Sequence, residues 1–144
     1  MDSNESVLNA TISTFPPSVN KLYTKTKWGQ TRSAAAKKFK LDASLELAKQ
    51  WAFASPLPRD TPLELSLRFY FPVLQNAGWP KTKTKYKKQD VSNYIKLLED
   101  IIVSATGVDD SNHHAVHAYK LEDAKNPRIE VTIKCMSNQM NSDT

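Results

Sequence analysis

The stretch Gln89-Asp90-Val91-Ser92-Asn93-Tyr94-Ile95-Lys96-Leu97-Leu98-Glu99-Asp100-Ile101-Ile102 decides how this chain is read, because its apolar residues recur with a helical period. Val91, Tyr94, Ile95, Leu97, Leu98, Ile101 and Ile102 share one broad face when successive residues turn by about 100°. Asn93, Lys96 and Asp100 fall on the opposite side, one above another. The spacing predicts a helix over 91–106 that buries one side and offers an amide, an ammonium and a carboxylate on the other. Asp90 or Ser92 suits its N-cap, and Gly107 followed by Asp109-Asp110 suits its end. Read from periodicity alone, Lys96 and Asp100 are equally an ordinary surface pair at i,i+4.

Working outward, the segment just upstream is Lys81-Thr82-Lys83-Thr84-Lys85-Tyr86-Lys87-Lys88, and from Trp79 to Lys88 there are five lysines and no acid. A second basic stretch, Asn20 to Lys40, carries seven basic residues and no acid, with Trp28 inside it. In a chain of 144 residues with a net charge of +5, this uneven distribution says more than the sum. Ammonium groups set among aromatics suit a nucleic acid: the cations neutralise phosphates and the rings stack on unpaired bases. The candidates are Lys81, Lys83, Lys85, Tyr86, Lys87 and Lys88 in one segment and Lys25, Lys27 and Arg32 in the other. The bland alternative for each is a solvated linker. Carboxylates beside lysines suit a divalent metal beside phosphates, which points to metal-dependent phosphodiester hydrolysis.

Composition sets the remaining bounds. A hydrophobic content of 40% and a charged content of 24% are those of a soluble globular domain. A single cysteine, Cys135, excludes an internal disulfide and fits a reducing compartment. Its alternation with Ile129, Val131 and Ile133 makes it a core residue. The start Met1–Ser6 is acidic and polar, so no signal peptide is expected, and no apolar run reaches membrane-spanning length. His113-His114-x-x-His117 invites a zinc reading. On a regular strand, however, His113 and His117 share a face and His114 points away, so the three do not converge.

Along the chain, Leu8, Ala10 and Ile12 alternate with polar residues and read as a first strand. The stretch 18–32 reads as a loop. A helix is expected over 33–53, burying Leu41, Leu45, Ala48 and Ala52, with Leu47 and Trp51 widening that stripe and Phe39 off it. Leu63, Leu65, Leu67, Phe69 and Phe71 alternate cleanly as a strand, and 72–88 reads as a basic loop. After the second helix, strands at 114–120 and 128–135 read as a hairpin. The expected fold is α+β: a small mixed β-sheet with two helices in the order β-α-β-α-β-β. It forms one domain over 1–136 with a disordered tail at 137–144.

Three motifs carry a resemblance to a known family. Asp90-x-Ser92-Asn93-x-x-Lys96, then Asp100, Gly107 and Asp109-Asp110, resembles the signature of the RusA family of Holliday-junction resolvases. Phe15-Pro16-Pro17-Ser18-Val19-Asn20-Lys21-Leu22-Tyr23 resembles the family's opening, and Arg128-Ile129-Glu130-Val131-Thr132-Ile133 its last strand. The resemblance spans 10–134 and implies a homodimeric endonuclease that nicks opposing strands of a four-way DNA junction. It implies Mg²⁺, with Mn²⁺ as a substitute, a cytoplasmic setting in a bacterium or phage-infected cell, and work in recombination, repair or phage-DNA processing. By position it makes Asp90, Asp110, Lys96 and Asn93 catalytic and places metal ligands at Asp90, Asp110 and Ser92, with Asp109 an alternative to Asp110. The family carries an aspartate where this chain has Ser92. A neutral hydroxyl is a weaker ligand for a hard cation, so a weakened junction-binding protein, or a nuclease for other branched DNA, stands beside the main reading.

Overall fold

Leu63, Leu65, Leu67, Phe69 and Phe71 are all buried, and the strand they build lies inside the sheet. A computed structural model of the chain describes residues 7–17, 22–87 and 91–136. Its elements are β1 (Val7–Ile12), β2 (Tyr23–Thr26), β3 (Gly29–Arg32), α1 (Ala34–Gln50), β4 (Leu63–Phe71), α2 (Ser92–Thr106), β5 (His113–Glu122) and β6 (Arg128–Cys135). The main sheet runs β1-β6-β4-β5. β6 pairs antiparallel with β1 and β4, while β5 pairs parallel with β4. This is the mixed sheet with two helices that the sequence pattern predicts, in the order β-α-β-α-β-β, with a separate β2–β3 hairpin added. The tail 137–144 lies outside the described residues.

The core is formed by the inward residues of the sheet packed against α1 and α2. Phe69 stacks beside Phe71 and lies 5.8 Å from the ring of Tyr94 on α2. Phe15 meets Phe71 edge-on at 5.0 Å. Burying each such ring contributes roughly 1.5–3 kcal/mol relative to exposure. On α2 the buried residues are Tyr94, Leu97, Leu98, Ile101 and Ile102, as its periodicity requires. Gly107 closes the helix at φ 75°, a left-handed conformation that favours glycine. Cys135 is buried at the end of β6.

Four expectations need correction. First, the buried face of α1 is Ala36, Phe39, Ala43 and Leu47, while Leu41 and Leu45 are exposed. Polar groups set that face. Glu46 accepts hydrogen bonds from the Ser13 N–H and hydroxyl, and the Gln50 amide both donates to and accepts from Thr11. Glu46 and Gln50 lie one turn apart, so they clasp the open edge of β1 and rotate Phe39 inward.

Second, 18–32 is not all loop, because Tyr23–Thr26 and Gly29–Arg32 pair antiparallel. Third, β5 and β6 are not hairpin neighbours, since β4 lies between them. The link 123–127 arches over the end of β4, where the Asp123 N–H donates to the Phe71 carbonyl at 2.8 Å. Asp123 also holds Arg128 at 2.8 Å, and this hydrogen bond keeps its carboxyl below the usual range. Fourth, Ser92 is the first helical residue of α2, not its N-cap, which falls on Val91. Asp90 lies outside the described residues.

Candidate active site

Lys96 projects from the exposed side of α2. Its ammonium lies 2.7 Å from Asp110 Oδ2 and 3.7 Å from Asp100 Oδ1. The other oxygen of Asp100 accepts from Arg32 Nη2 at 2.8 Å. Asp110, Lys96, Asp100 and Arg32 therefore form a chain of alternating charge that joins the turn after α2, α2 itself and the end of β3. The hydrogen bond to Asp110, followed by the field of Asp100, raises the Lys96 pKa and keeps the ammonium charged.

Local chemistry places Asp110 there. With α2 closed at Gly107, Val108 tucks into the core and the chain turns back toward the helix. Asp109 then caps the single 3₁₀ turn Asp110–Asn112 by accepting the Ser111 N–H at 2.9 Å. The Ser111 hydroxyl and N–H lower its carboxyl pKa. Of the Asp109-Asp110 pair, Asp110 reaches Lys96 and Asp109 serves the turn. Ser92 and Asn93 are exposed in the first turn of the same helix. Ser92 precedes Lys96 by one turn, so both lie on one side of α2.

Two clamps that sequence reasoning missed steady this region. The Tyr94 hydroxyl donates to the Pro17 carbonyl at 3.1 Å, docking the Phe15-Pro16-Pro17 segment on α2, and burial raises its pKa. His113 Nδ1 lies 2.8 Å from Glu99 Oε2, with the imidazole fully buried and its Nε2 without a partner. A bulge between Leu63 and Glu64 in the β4–β5 register turns His113 inward, while His117 faces outward and pairs with Glu64 at 2.8 Å. His113 and His117 thus lie on opposite faces, contrary to the regular-strand reading, because a one-residue slip reverses which face a side chain occupies. Asn112 donates to the Thr61 carbonyl at 3.2 Å and helps hold the turn.

The basic stretches form two arms. In one, Asn76 closes the loop: its side-chain amide donates to the Thr84 and Tyr86 carbonyls, and its N–H to the Lys85 carbonyl. Lys81, Lys83, Lys85 and Lys87 are exposed on this loop, and Lys85 Nζ lies 5.5 Å from the ring of half-exposed Tyr86. Lys88 lies outside the described residues. The other arm is the β2–β3 hairpin with Lys25 and Lys27 exposed; Arg32, at its base, is turned to Asp100.

A hard divalent cation needs oxygen donors in a negative field. Asp100 and Asp110 bring two carboxylates to one place, each already paired with the Lys96 ammonium and Asp100 also with Arg32. Among the described residues, no three His, Cys, Asp or Glu side chains gather closely enough to hold a metal ion. The expected ligand set includes Asp90, which is outside those residues.

The fold is an α+β domain with a carboxylate–lysine chain along α2 and two lysine-rich exposed segments. The family model for Endodeoxyribonuclease RusA matches residues 14–134, and the chain belongs to that family. Membership makes it an endodeoxyribonuclease-type protein and implies junction-resolvase activity on branched DNA. No curated protein sequence matches the chain. Among the described residues no helix is long and apolar enough to cross a membrane.

Proposed function

We propose that this protein is a homodimeric, Mg²⁺-dependent endonuclease that resolves four-way DNA junctions by paired, symmetric nicks, acting in recombination, repair or phage-DNA processing in a bacterial or phage-infected cell. Residues 1–136 constitute the nuclease domain. The observation that carries this reading is the alternating chain Asp110–Lys96–Asp100–Arg32, with the β2–β3 hairpin tied to it through Arg32. Two-fold symmetry suits the task because a junction offers two equivalent strands to two sites.

Asp90 and Asp110, with Ser92 or Asp109 beside them, would hold the metal, which supplies a more acidic water and a polarised phosphoryl oxygen. Lys96 stabilises the charge that builds on the phosphate as the water oxygen bonds to phosphorus and the P–O bond of the strand breaks. Asn93, on the exposed face one turn earlier, orients a phosphate oxygen. Lys81, Lys83, Lys85, Lys87, Lys88, Lys25 and Lys27 neutralise phosphates, with Arg32 beside them, and Tyr86 stacks on a base. Ser92 favours one second reading, a junction-binding protein with weakened catalysis, because it replaces a carboxylate with a neutral hydroxyl.

The test incubates a synthetic four-way junction, a linear duplex and a single strand with the protein, with and without Mg²⁺, alongside Asp90→Asn and Asp110→Asn. Junction-selective, Mg²⁺-dependent paired nicks that both variants lose while still binding support the proposal. Junction binding without nicks supports the second reading. Equal cutting by the variants overturns the assigned site.

A further inference from the structure

The β2–β3 hairpin stands apart from the main sheet, and every residue of β2 and β3 except half-buried Arg32 is exposed. At its tip Trp28 is 89% exposed. A side chain of this size in water loses the stabilisation that burial gives an indole, so the position is costly unless something covers it. The turn that carries it is closed by its own hydrogen bonds. The Thr26 hydroxyl donates to the Gly29 carbonyl at 2.7 Å and accepts the Trp28 N–H at 3.2 Å. Gly29, at φ 118°, supplies the one tight turn. Lys27 Nζ lies 5.8 Å from the indole centroid, the same lysine-over-ring pairing that Lys85 makes with Tyr86 on the other arm.

The base of the hairpin is tied to the candidate site. Arg32 at the end of β3 reaches Asp100 at 2.8 Å, and the Ser33 N–H donates to the carbonyl of buried Leu22 at 2.8 Å. Trp28 lies four residues before Arg32, so at a strand rise of roughly 3.3 Å per residue its backbone extends about 13 Å from that of Arg32, whose side chain reaches Asp100. That reach is close to four nucleotide rises of about 3.4 Å along a stacked strand.

We propose that Trp28 is a base-stacking residue that recognises unpaired or unstacked nucleobases at the branch of the DNA, and so sets selectivity for branched over linear substrates. This rests on the nuclease reading above and adds to it the group that senses the branch. A π-face flanked by Lys25 and Lys27 matches a base flanked by phosphates. A continuous duplex keeps its bases stacked on each other and offers this ring nothing, whereas a branch point exposes base faces. The lysines bind both substrates, and the indole distinguishes them. The hairpin is anchored at its base by Arg32 and Ser33 and carries the ring at its tip.

The experiment measures binding of wild type, Trp28→Ala and Trp28→Phe to a four-way junction and to a linear duplex in Ca²⁺. A 2-aminopurine is placed in turn at the branch point and about four nucleotides to either side. Loss of base stacking should weaken junction affinity about ten- to a hundred-fold in Trp28→Ala. Duplex affinity should change less than two-fold, with Phe restoring much of the loss. Wild-type protein should quench 2-aminopurine at one position near the branch, and Trp28→Ala should not. Because the side chain is exposed, the melting temperature should be unchanged. A junction-to-duplex ratio in Trp28→Ala equal to that of wild type overturns the inference while leaving the nuclease reading intact. A wild type with no preference for the junction overturns both. A change in oligomeric state with unchanged junction binding identifies Trp28 as a protein contact and overturns the inference.

Discussion

The pair Arg32–Asp100 gives the most direct test of how the hairpin is positioned. Its side chains are 21% and 28% exposed and meet at 2.8 Å. At an effective dielectric near 20, unit charges about 4 Å apart attract by about 4 kcal/mol. Partly dehydrating both groups and fixing the long arginine side chain offset much of that, leaving a coupling of about 1–2 kcal/mol. A double-mutant cycle with Arg32→Met, Asp100→Asn and the pair isolates this term from the additional contact of Asp100 with Lys96 at 3.7 Å. Apart from Leu22 and the Ser33 hydrogen bond at its base, the hairpin is exposed, so the destabilisation should be local. Amide exchange across 23–32 should quicken roughly 5- to 30-fold, while exchange within β4 stays unchanged. Arg32→Met should also lose junction selectivity, since a detached hairpin no longer holds its tip at a set distance. A coupling under about 0.3 kcal/mol, within the additivity error of such cycles, or unchanged exchange in the hairpin would show that the ion pair does not set the hairpin's position.

Replacing Lys83, Lys85 and Lys87 together with glutamine should weaken binding to all DNA substrates, and the log–log salt slope should shrink by roughly 0.9 for each phosphate left without its lysine; an unchanged slope makes the loop a solvated linker. Lys96→Ala should lower the single-turnover cleavage rate with little change in junction affinity, because its contact matters mainly in the transition state. Asp109→Asn should be milder than Asp110→Asn, since Asp109 serves the turn, and equal severity would move the ligand assignment to Asp109. At Glu46 burial alone would raise the pKa, but hydrogen bonds from Ser13 and Thr14 outweigh it and hold the carboxyl low. A depressed folded value means the contribution is present above the unfolded pKa of about 4.3 and lost as pH falls through the folded value. Glu46→Gln should therefore flatten the acid-side stability profile, and an identical acid slope would refute that role.

The elements read correctly from the sequence are those in which one period is buried against one face. The alternation of Leu63 to Phe71 and the helical spacing of Tyr94 to Ile102 match single faces of the core. The pattern of α1 misleads because two candidate stripes exist. Leu41 and Leu45 are as apolar as the buried set, and the choice falls to tertiary hydrogen bonds from Glu46 and Gln50 to β1. The β2–β3 hairpin is hidden for the opposite reason: neither of its faces is buried, so no apolar alternation exists. Only the β-branched Thr24, Thr26 and Thr31 and the turn at Gly29 mark it. The five residues of 123–127 are as long as an ordinary hairpin loop. Nothing in their composition reveals that they pass over the end of a third strand.

At the site, the sequence names the acids and the lysine, but geometry decides which meet. Lys96 and Asp100 are neighbours on any helix, so their pairing alone carries little. The contact of Lys96 with Asp110 across the Gly107 turn is what brings a second carboxylate to the lysine. Arg32, read as a phosphate ligand, directs its charge to Asp100 in the unbound protein. Ser92 bears on the charge along α2. Its place in the first turn of α2 lies on the side of Lys96, near the positive end of the helix dipole, where an aspartate would add negative charge favourably. With serine there, this helix turn carries one carboxylate fewer than the family pattern implies. Ser92 therefore separates two questions for this protein, DNA binding and metal-dependent cleavage, and each has to be measured on its own.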